Sequence, residues 1–226
     1  MQEYFSFSTT EYLTDPDLLE LVGSRGRRVM ELASLGTPIS PGFVLTNDTL
    51  NRIAADEEGV FDRLKDPLAD MELVFKKNFN DKQKPLLIKV VESPMLNMVN
   101  TFSTIHNIGL SDETVDGFAA YVGDDFAYHE YAHVIGQIIE MELLGSNPAA
   151  KRKKALETYQ SALNKAAEGT GVKGKVTKVL EKHRGLYPEE IYTDCYEQFR
   201  AVLKLYHQLF QQNQTSSDSA VLIQTM

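Results

Sequence analysis

The sequence predicts an α+β protein in which a small sheet with flanking helices precedes a long helical stretch. Short apolar runs of strand length support the sheet, and they lie at Tyr4–Ser8, Phe43–Leu45 and Leu86–Val91. From Asp112 to about Ser219, apolar residues instead recur at helical spacing. A last apolar run, Ala220 to Gln224, predicts a further strand that returns to the sheet.

Capping residues place the first helices between the predicted strands. A turn bracketed by Gly23 and Gly26 is expected to precede a helix from about Arg27 to Leu35, which Gly36 ends as a C-terminal cap. Thr46 is expected to open the next helix. Charged residues with helically spaced apolar residues between 49 and 84 then predict two surface helices divided near Asp66-Pro67.

The C-terminal stretch is expected to hold a series of amphipathic helices. Ser111 or Asp112 is predicted to cap a helix that begins near Glu113. Further helices are predicted up to about residue 145 and at about 151–167, 176–183 and 188–212. One apolar stripe is expected to be buried: Phe126, Tyr131, Val134, Ile135, Ile138 and Met141.

Composition limits the class of protein. The chain of 226 residues can form one domain or a domain with a subdomain. Its net charge of -9 argues against nucleic-acid binding, and no apolar run reaches the roughly 18 residues that a membrane span needs. The single cysteine, Cys195, excludes an internal disulfide framework and is expected to be a buried small side chain. Without a signal peptide at the N-terminus, a cytoplasmic location is expected.

Two segments carry the signals for a ligand site. The strand Leu86–Val91 breaks at Ser93-Pro94 and leads into a Met- and Asn-rich loop, and such junctions are where α/β folds usually bind ligands. The sequence Gly-Ser-Arg-Gly at 23–26 precedes a helix, where backbone amide groups can hold an anion. A plain turn is the alternative interpretation of the second segment.

Both segments resemble the N-terminal nucleotide-binding domain, an ATP-grasp domain, of the pyruvate phosphate dikinase family. That family reads roughly PLLVSVRSGA where this chain has residues 85–94, and Gly-Gly-Lys-Gly where it has 23–26. The stretch from 85 to 112 matches without a gap at Pro85, Leu86, Leu87, Val90, Met98, Thr104, Asn107, Gly109, Leu110 and Asp112. The final AVLIQTM is similar to the family's AVNVQTM.

The resemblance implies an ATP-grasp-like subdomain at 1–111, a helical insertion at 112–213 and a return strand at 214–226. It extends over nearly all of this chain and about the first quarter of such an enzyme. In the family, the metal-binding acidic residues come from a later part of the ATP-grasp domain.

The phosphate site departs from the family pattern. Val91 replaces the arginine that contacts phosphate, Glu92 follows it, and Arg25 replaces the phosphate-binding lysine. We therefore interpret Gly23, Arg25, Gly26, Val91 and Glu92 as a vestigial ATP-phosphate site. No catalytic residue and no bound cofactor are expected, although the family uses ATP and Mg²⁺.

These departures predict a degenerate dikinase-like domain, without phosphotransferase activity, that acts in protein interaction or regulation. A homodimer or another protein is expected to cover the region near Ala220–Gln224 and the Val90–Met98 loop. Nucleic acid and membrane are not expected as partners. The alternative is a functional ATP-binding fragment of a split dikinase.

A second motif allows a different function. His129-Glu130-Tyr131-Ala132-His133 has the H-E-x-x-H pattern, in which two histidines on one helix face bind Zn²⁺ and the glutamate acts as general base. Glu157 is a possible third ligand by spacing. The interpretation preferred here is an exposed helix face, with His133 partly covered at the edge of the buried stripe. A zinc-dependent peptidase is the alternative.

Overall fold

The computed structural model describes residues 2–95, 102, 104–145, 148–212 and 218–226. Within these ranges the chain forms five strands: β1 (Tyr4–Phe7), β2 (Gly42–Leu45), β3 (Ile88–Ser93), β4 (Ile105–Ile108) and β5 (Ala220–Thr225). The helices of the first third are α1 (Pro16–Leu21), α2 (Gly23–Ser34), α3 (Asn47–Ala54) and α4 (Lys65–Phe75). The later helices are α5 (Val115–Val122), α6 (Asp124–Gly145), α7 (Ala150–Ala166), α8 (Val172–His183), α9 (Glu190–Thr193) and α10 (Cys195–Gln212).

The fold is mixed α+β, with a small antiparallel sheet in the order β1-β2-β5-β3-β4 and flanking helices. The strand that is last in sequence, β5, lies in the middle of this sheet. Leu222 is paired with Val44 of β2 on one side and with Val91 of β3 on the other. The side chains of Ala220 to Ile223 are all buried. The predicted strand at Ala220–Gln224 is confirmed, and it has no unpaired edge to offer to a partner.

The chain divides into two compact units. The first consists of Met1–Lys76, Ile88–His106 and Val202–Met226, and the second of Lys77–Leu87 and Asn107–Ala201. In the first unit, α2 packs on the sheet through an apolar cluster that includes Met30, Val44 and Val91. In the second unit, α6 alone carries eleven buried residues. The division into 1–111, 112–213 and 214–226 stays a prediction.

Several predicted elements are confirmed, and the differences have local causes. Thr46 caps α3 by accepting a hydrogen bond from the Thr49 amide. Gly36, with φ of +74°, ends α2 as predicted. The long helix predicted from 188 to 212 is interrupted at Asp194, whose backbone is extended and whose carboxylate caps α10 at the Tyr196 amide.

Other predictions are wrong in detail. The glycine turn at 23–26 is the first turn of α2 itself, because a distant side chain caps the helix there, as described below. Pro67 lies in the first turn of α4, where a missing amide hydrogen costs nothing, and so it does not divide two helices. Phe126 is 53% exposed and lies outside the buried stripe. The strand β4 and the short helix α1 were not predicted, and most of the Met-rich loop lies outside the described residues.

Candidate functional site

The start of α2 is built around Gly23. Its φ of +67° is a conformation that favours glycine, and a Cβ atom at this position would lie 2.1 Å from the carbonyl oxygen of Ser93. A Cβ on Gly26 would lie 2.9 Å from the Cβ atom of Val22 and 3.1 Å from a methyl group of Val44. Gly23 therefore allows the helix to approach the end of β3 closely, and Gly26 allows it to approach Val44 of β2.

The first amide groups of α2 are occupied by the chain itself. The hydroxyl oxygen of Ser93 accepts hydrogen bonds from the amides of Arg25, at 3.2 Å, and Gly26, at 3.0 Å. The same hydroxyl donates to the Val22 carbonyl at 2.6 Å. The Ser24 amide donates to the carbonyl of Pro94 at 2.7 Å. Groups that a helix start can offer to an anion are thus already satisfied by the end of β3.

The cations Lys89 of β3 and Arg25 of α2 lie close enough to influence each other. Side chains at positions 89, 91 and 93 share one face of β3, because side chains alternate along a strand. Lys89 is half-buried, and its pKa is lowered, chiefly by burial and further by the positive charge of Arg25. Sequence reasoning missed Lys89, although its two-residue spacing from Val91 was a usable signal.

Val91 and Glu92 lie on opposite faces of β3. Val91 is 4% exposed and belongs to the apolar cluster under α2. Glu92 is fully buried and accepts a hydrogen bond from the Ser219 hydroxyl at 3.0 Å. Among the predicted site residues, the structure therefore brings Gly23, Arg25 and Gly26 together with the face that carries Val91, and directs Glu92 away from them.

A polar cavity of about 390 Å³ adjoins the first turns of α2. Its charged lining residues have both signs, since Arg27 and Arg28 are accompanied by Glu20 and Glu31. Carboxylates in the lining oppose the binding of a phosphate group. The cavity is therefore not a purely cationic site.

Comparison with known proteins finds relatives that share one name. The chain is 30% identical over 210 residues to the pyruvate, phosphate dikinase of Treponema pallidum (strain Nichols), a match that covers 91% of this chain and 23% of that protein. It is 24% identical over 189 residues to pyruvate, phosphate dikinase 1, chloroplastic, of Arabidopsis thaliana, covering 82% of this chain and 19% of that protein. This chain is a relative of the pyruvate, phosphate dikinases.

The resemblance that the sequence predicts is thereby confirmed. A further relative, pyruvate, phosphate dikinase 2 of Zea mays, is 24% identical over 194 residues, which cover 83% of this chain and 22% of that protein. The chain spans about a fifth of the length of the curated dikinases that it matches, in their N-terminal part. No protein-family model matches it.

The histidine motif lies on α6, in the second unit. His129 and His133 are both exposed, as predicted for the pair. Glu130 is held in place by accepting a hydrogen bond from Asn107 and contacts His129 at 2.9 Å. Glu157 is exposed on α7.

A zinc site would need a third ligand near the two histidines. Across the described ranges, no three His, Cys, Asp or Glu side chains come close enough together to hold a metal ion. Cys195 is fully buried and donates to the Gly109 carbonyl, which confirms it as a small core residue. Among the residues that the structure describes, no helix is long and apolar enough to span a bilayer.

Proposed function

We propose that this chain is a degenerate form of a dikinase-like, ATP-grasp-like nucleotide-binding domain, without phosphotransferase activity, that acts through protein contacts or in regulation. The occupation of the α2 amides by Ser93 carries the first half of this proposal. Phosphoryl transfer depends on donors and cations that are positioned around the phosphates. Here two of those donors point at a serine hydroxyl of the same chain.

Two substitutions in the site support the same conclusion. Val91 stands where the dikinase family has its phosphate-contacting arginine, and it packs in the apolar cluster, where it offers no donor. Ser93 stands where the family has glycine, so the occupying hydroxyl is itself a departure from the family. Arg25 and Lys89 still supply positive charge, and an experiment must therefore separate the effect of the hydroxyl from that of the charges.

The test is a titration with Mg²⁺-ATP that is monitored at the backbone amide NMR signals of residues 24–26. We expect these signals to stay unchanged in the wild type at millimolar nucleotide. Ser93→Gly removes the hydroxyl and frees the Arg25 and Gly26 amides. In this variant we expect both signals to move as nucleotide is added, because freed amides at a helix start attract phosphate.

Ser219→Ala is the matched control, since it also removes a buried serine hydroxyl but one that donates to Glu92 on the other face of β3. We expect no nucleotide response from it. A saturable response at residues 24–26 in the wild type would show that the functional ATP-binding alternative is correct. If the amide signals of Ser93→Gly also stayed unchanged, the Ser93 hydroxyl would not be what prevents nucleotide binding.

The second half of the proposal concerns association with a second copy or with another protein. Because β5 is paired on both sides, the contact would use surfaces other than the predicted Ala220–Gln224 strand. Light scattering on the purified chain at increasing concentration tests the homodimer. A mass of twice 25.4 kDa is the expected result, and a constant monomer mass would contradict it.

A further inference from the structure

A surface depression of about 500 Å³ lies within the second unit, between the start of α7 and the end of α8. This volume falls in the range of about 300–1,000 Å³ that small-molecule sites occupy. Lys151 and Lys154 line it from α7, and Lys182 and His183 line it from α8. The depression has no part in the dikinase-like site described above.

Positive charge is concentrated here in an acidic chain. The sequence has 32 acidic and 23 basic residues, yet the lining contains three lysines and no carboxylate. Two other cations on the same helices have acidic partners: Arg152 contacts Glu142 at 2.7 Å, and Lys173 contacts Asp116 at 2.9 Å.

None of the three lining lysines forms a salt bridge with a residue that the structure describes. Their charges are therefore available to a ligand.

The two lysines of α7 also lie at the end of the helix where positive charge is unfavourable. Residues 151–154 are four consecutive cations in the first turns of the helix, at the positive end of its dipole. The N-cap residue Ala149 provides no side-chain cap, and the first turn has no acidic residue. A bound anion would offset this unfavourable arrangement, and positions that break a local rule of this kind are often functional.

The rest of the lining is partly apolar and also includes the hydroxyl-bearing Thr158. Ala155 and Leu186 contribute to the depression. The ring of His183 is stacked on Tyr159 of α7, with centroids 4.7 Å apart and an angle of 15° between the planes. This contact holds the imidazole ring in a fixed orientation in the lining of the depression.

We propose that the depression binds a small organic phosphate. Lys151, Lys154 and Lys182 hold the phosphate oxygens by charge-assisted hydrogen bonds, while the organic part lies against Ala155 and Leu186. The apolar contacts favour a ligand with an organic body over a bare inorganic anion. The proposal is independent of whether the α2 site binds nucleotide.

Phenyl phosphate is the probe, with inorganic phosphate as the second arm. Binding is measured at physiological ionic strength, where long-range attraction is screened, and is followed by the ring NMR signals of His183. The combined variant Lys154→Gln and Lys182→Gln removes two lining charges. We expect it to weaken phenyl phosphate binding by about tenfold or more, since each lost contact is to a charged group.

The matched control is Lys153→Gln with Lys178→Gln, which changes the net charge equally on the same two helices at positions outside the lining. We expect its affinity to stay within about twofold of the wild type, as surface charges far from a ligand contribute little. Equal losses in both double variants would overturn the proposal, and so would the absence of saturable binding in the wild type. Inorganic phosphate binding as tightly as phenyl phosphate would overturn the assignment to an organic ligand.

Discussion

The helices α2 and α7 begin in opposite ways. The first turn of α2 contains Gly23 and Gly26, but the hydroxyl of Ser93 occupies its amides. The first turn of α7 has no such motif and no side-chain cap, and lysines without acidic partners surround it. The capacity of a helix start to bind an anion therefore depends on which groups already accept hydrogen bonds from its amides. A glycine motif alone does not reveal those groups.

The largest expected effect tests how closely α2 is fitted to β3. Gly23→Ala would place a Cβ atom 2.1 Å from the Ser93 carbonyl oxygen at a φ of +67°. We expect a loss in the free energy of unfolding of at least about 2 kcal/mol, because backbone strain and a steric overlap act together. Urea denaturation measures it.

Gly36→Ala is the control for backbone conformation alone. Its φ is +74°, but nothing lies within 4 Å of the added Cβ atom. We expect a loss of about 1 kcal/mol there. Equal losses at positions 23 and 36 would show that the close approach of β3 contributes no strain, and the description of the α2 start as tightly filled would be wrong.

Local patterns accounted for much of the fold. The strands β1, β2 and β5 were predicted from short apolar runs, and α3, α6, α7 and α8 from helical periodicity with polar or glycine-bearing breaks. The glycine turn at 23–26 was placed wrongly because a distant residue decides the local structure there. Ser93 caps α2 from a position 67 residues away from Gly26, and no pattern within either segment indicates that contact.

The candidate site was predictable only in part. The sequence marks Gly23 and Gly26 near a helix start, and the structure places both in the first turn of α2. The sequence does not show whether their amide groups are free to bind an anion, because this depends on the rotamer of Ser93 at the end of β3. Glu92 was grouped with Val91 because it is adjacent in sequence, yet adjacent residues of a strand lie on opposite faces.

The second prediction changes the charge at the start of α7. Lys151→Glu replaces a cation by an anion at the positive end of the helix dipole. We expect the free energy of unfolding to rise by about 0.3–1 kcal/mol, while phenyl phosphate binding is lost. Stability and ligand affinity would then change in opposite directions.

Lys165→Glu is the matched control, because Lys165 lies in the last turn of the same helix, where a cation is favourable. The same charge change there should lower stability by a similar amount. It should leave phenyl phosphate binding intact. If both variants changed stability in the same direction, the dipole argument for the α7 depression would fail.

The smallest effect concerns the protonation of His183. Burial lowers the pKa of this imidazole, and the charge of Lys182 lowers it further. Lys151 and Lys154 line the same depression from α7, and the Tyr159 ring covers one face of the imidazole. The unfolded chain therefore takes up a proton on this residue more readily than the folded chain does. The stability contribution is present above the ordinary histidine pKa of about 6.5 and is lost as the pH falls below it.

We expect His183→Gln to flatten the decline in thermal stability between about pH 7 and pH 5, the range below the ordinary histidine pKa. His207 also has a pKa lowered by burial, so His207→Gln should flatten the same curve. The two variants differ in ligand binding. A phosphate held beside His183 favours its charged form, so wild-type affinity for phenyl phosphate should increase as the pH falls, once the loss of negative charge on protonation of the probe is corrected for. This increase should vanish in His183→Gln and persist in His207→Gln. If it vanished in both or in neither, His183 would not face the bound phosphate.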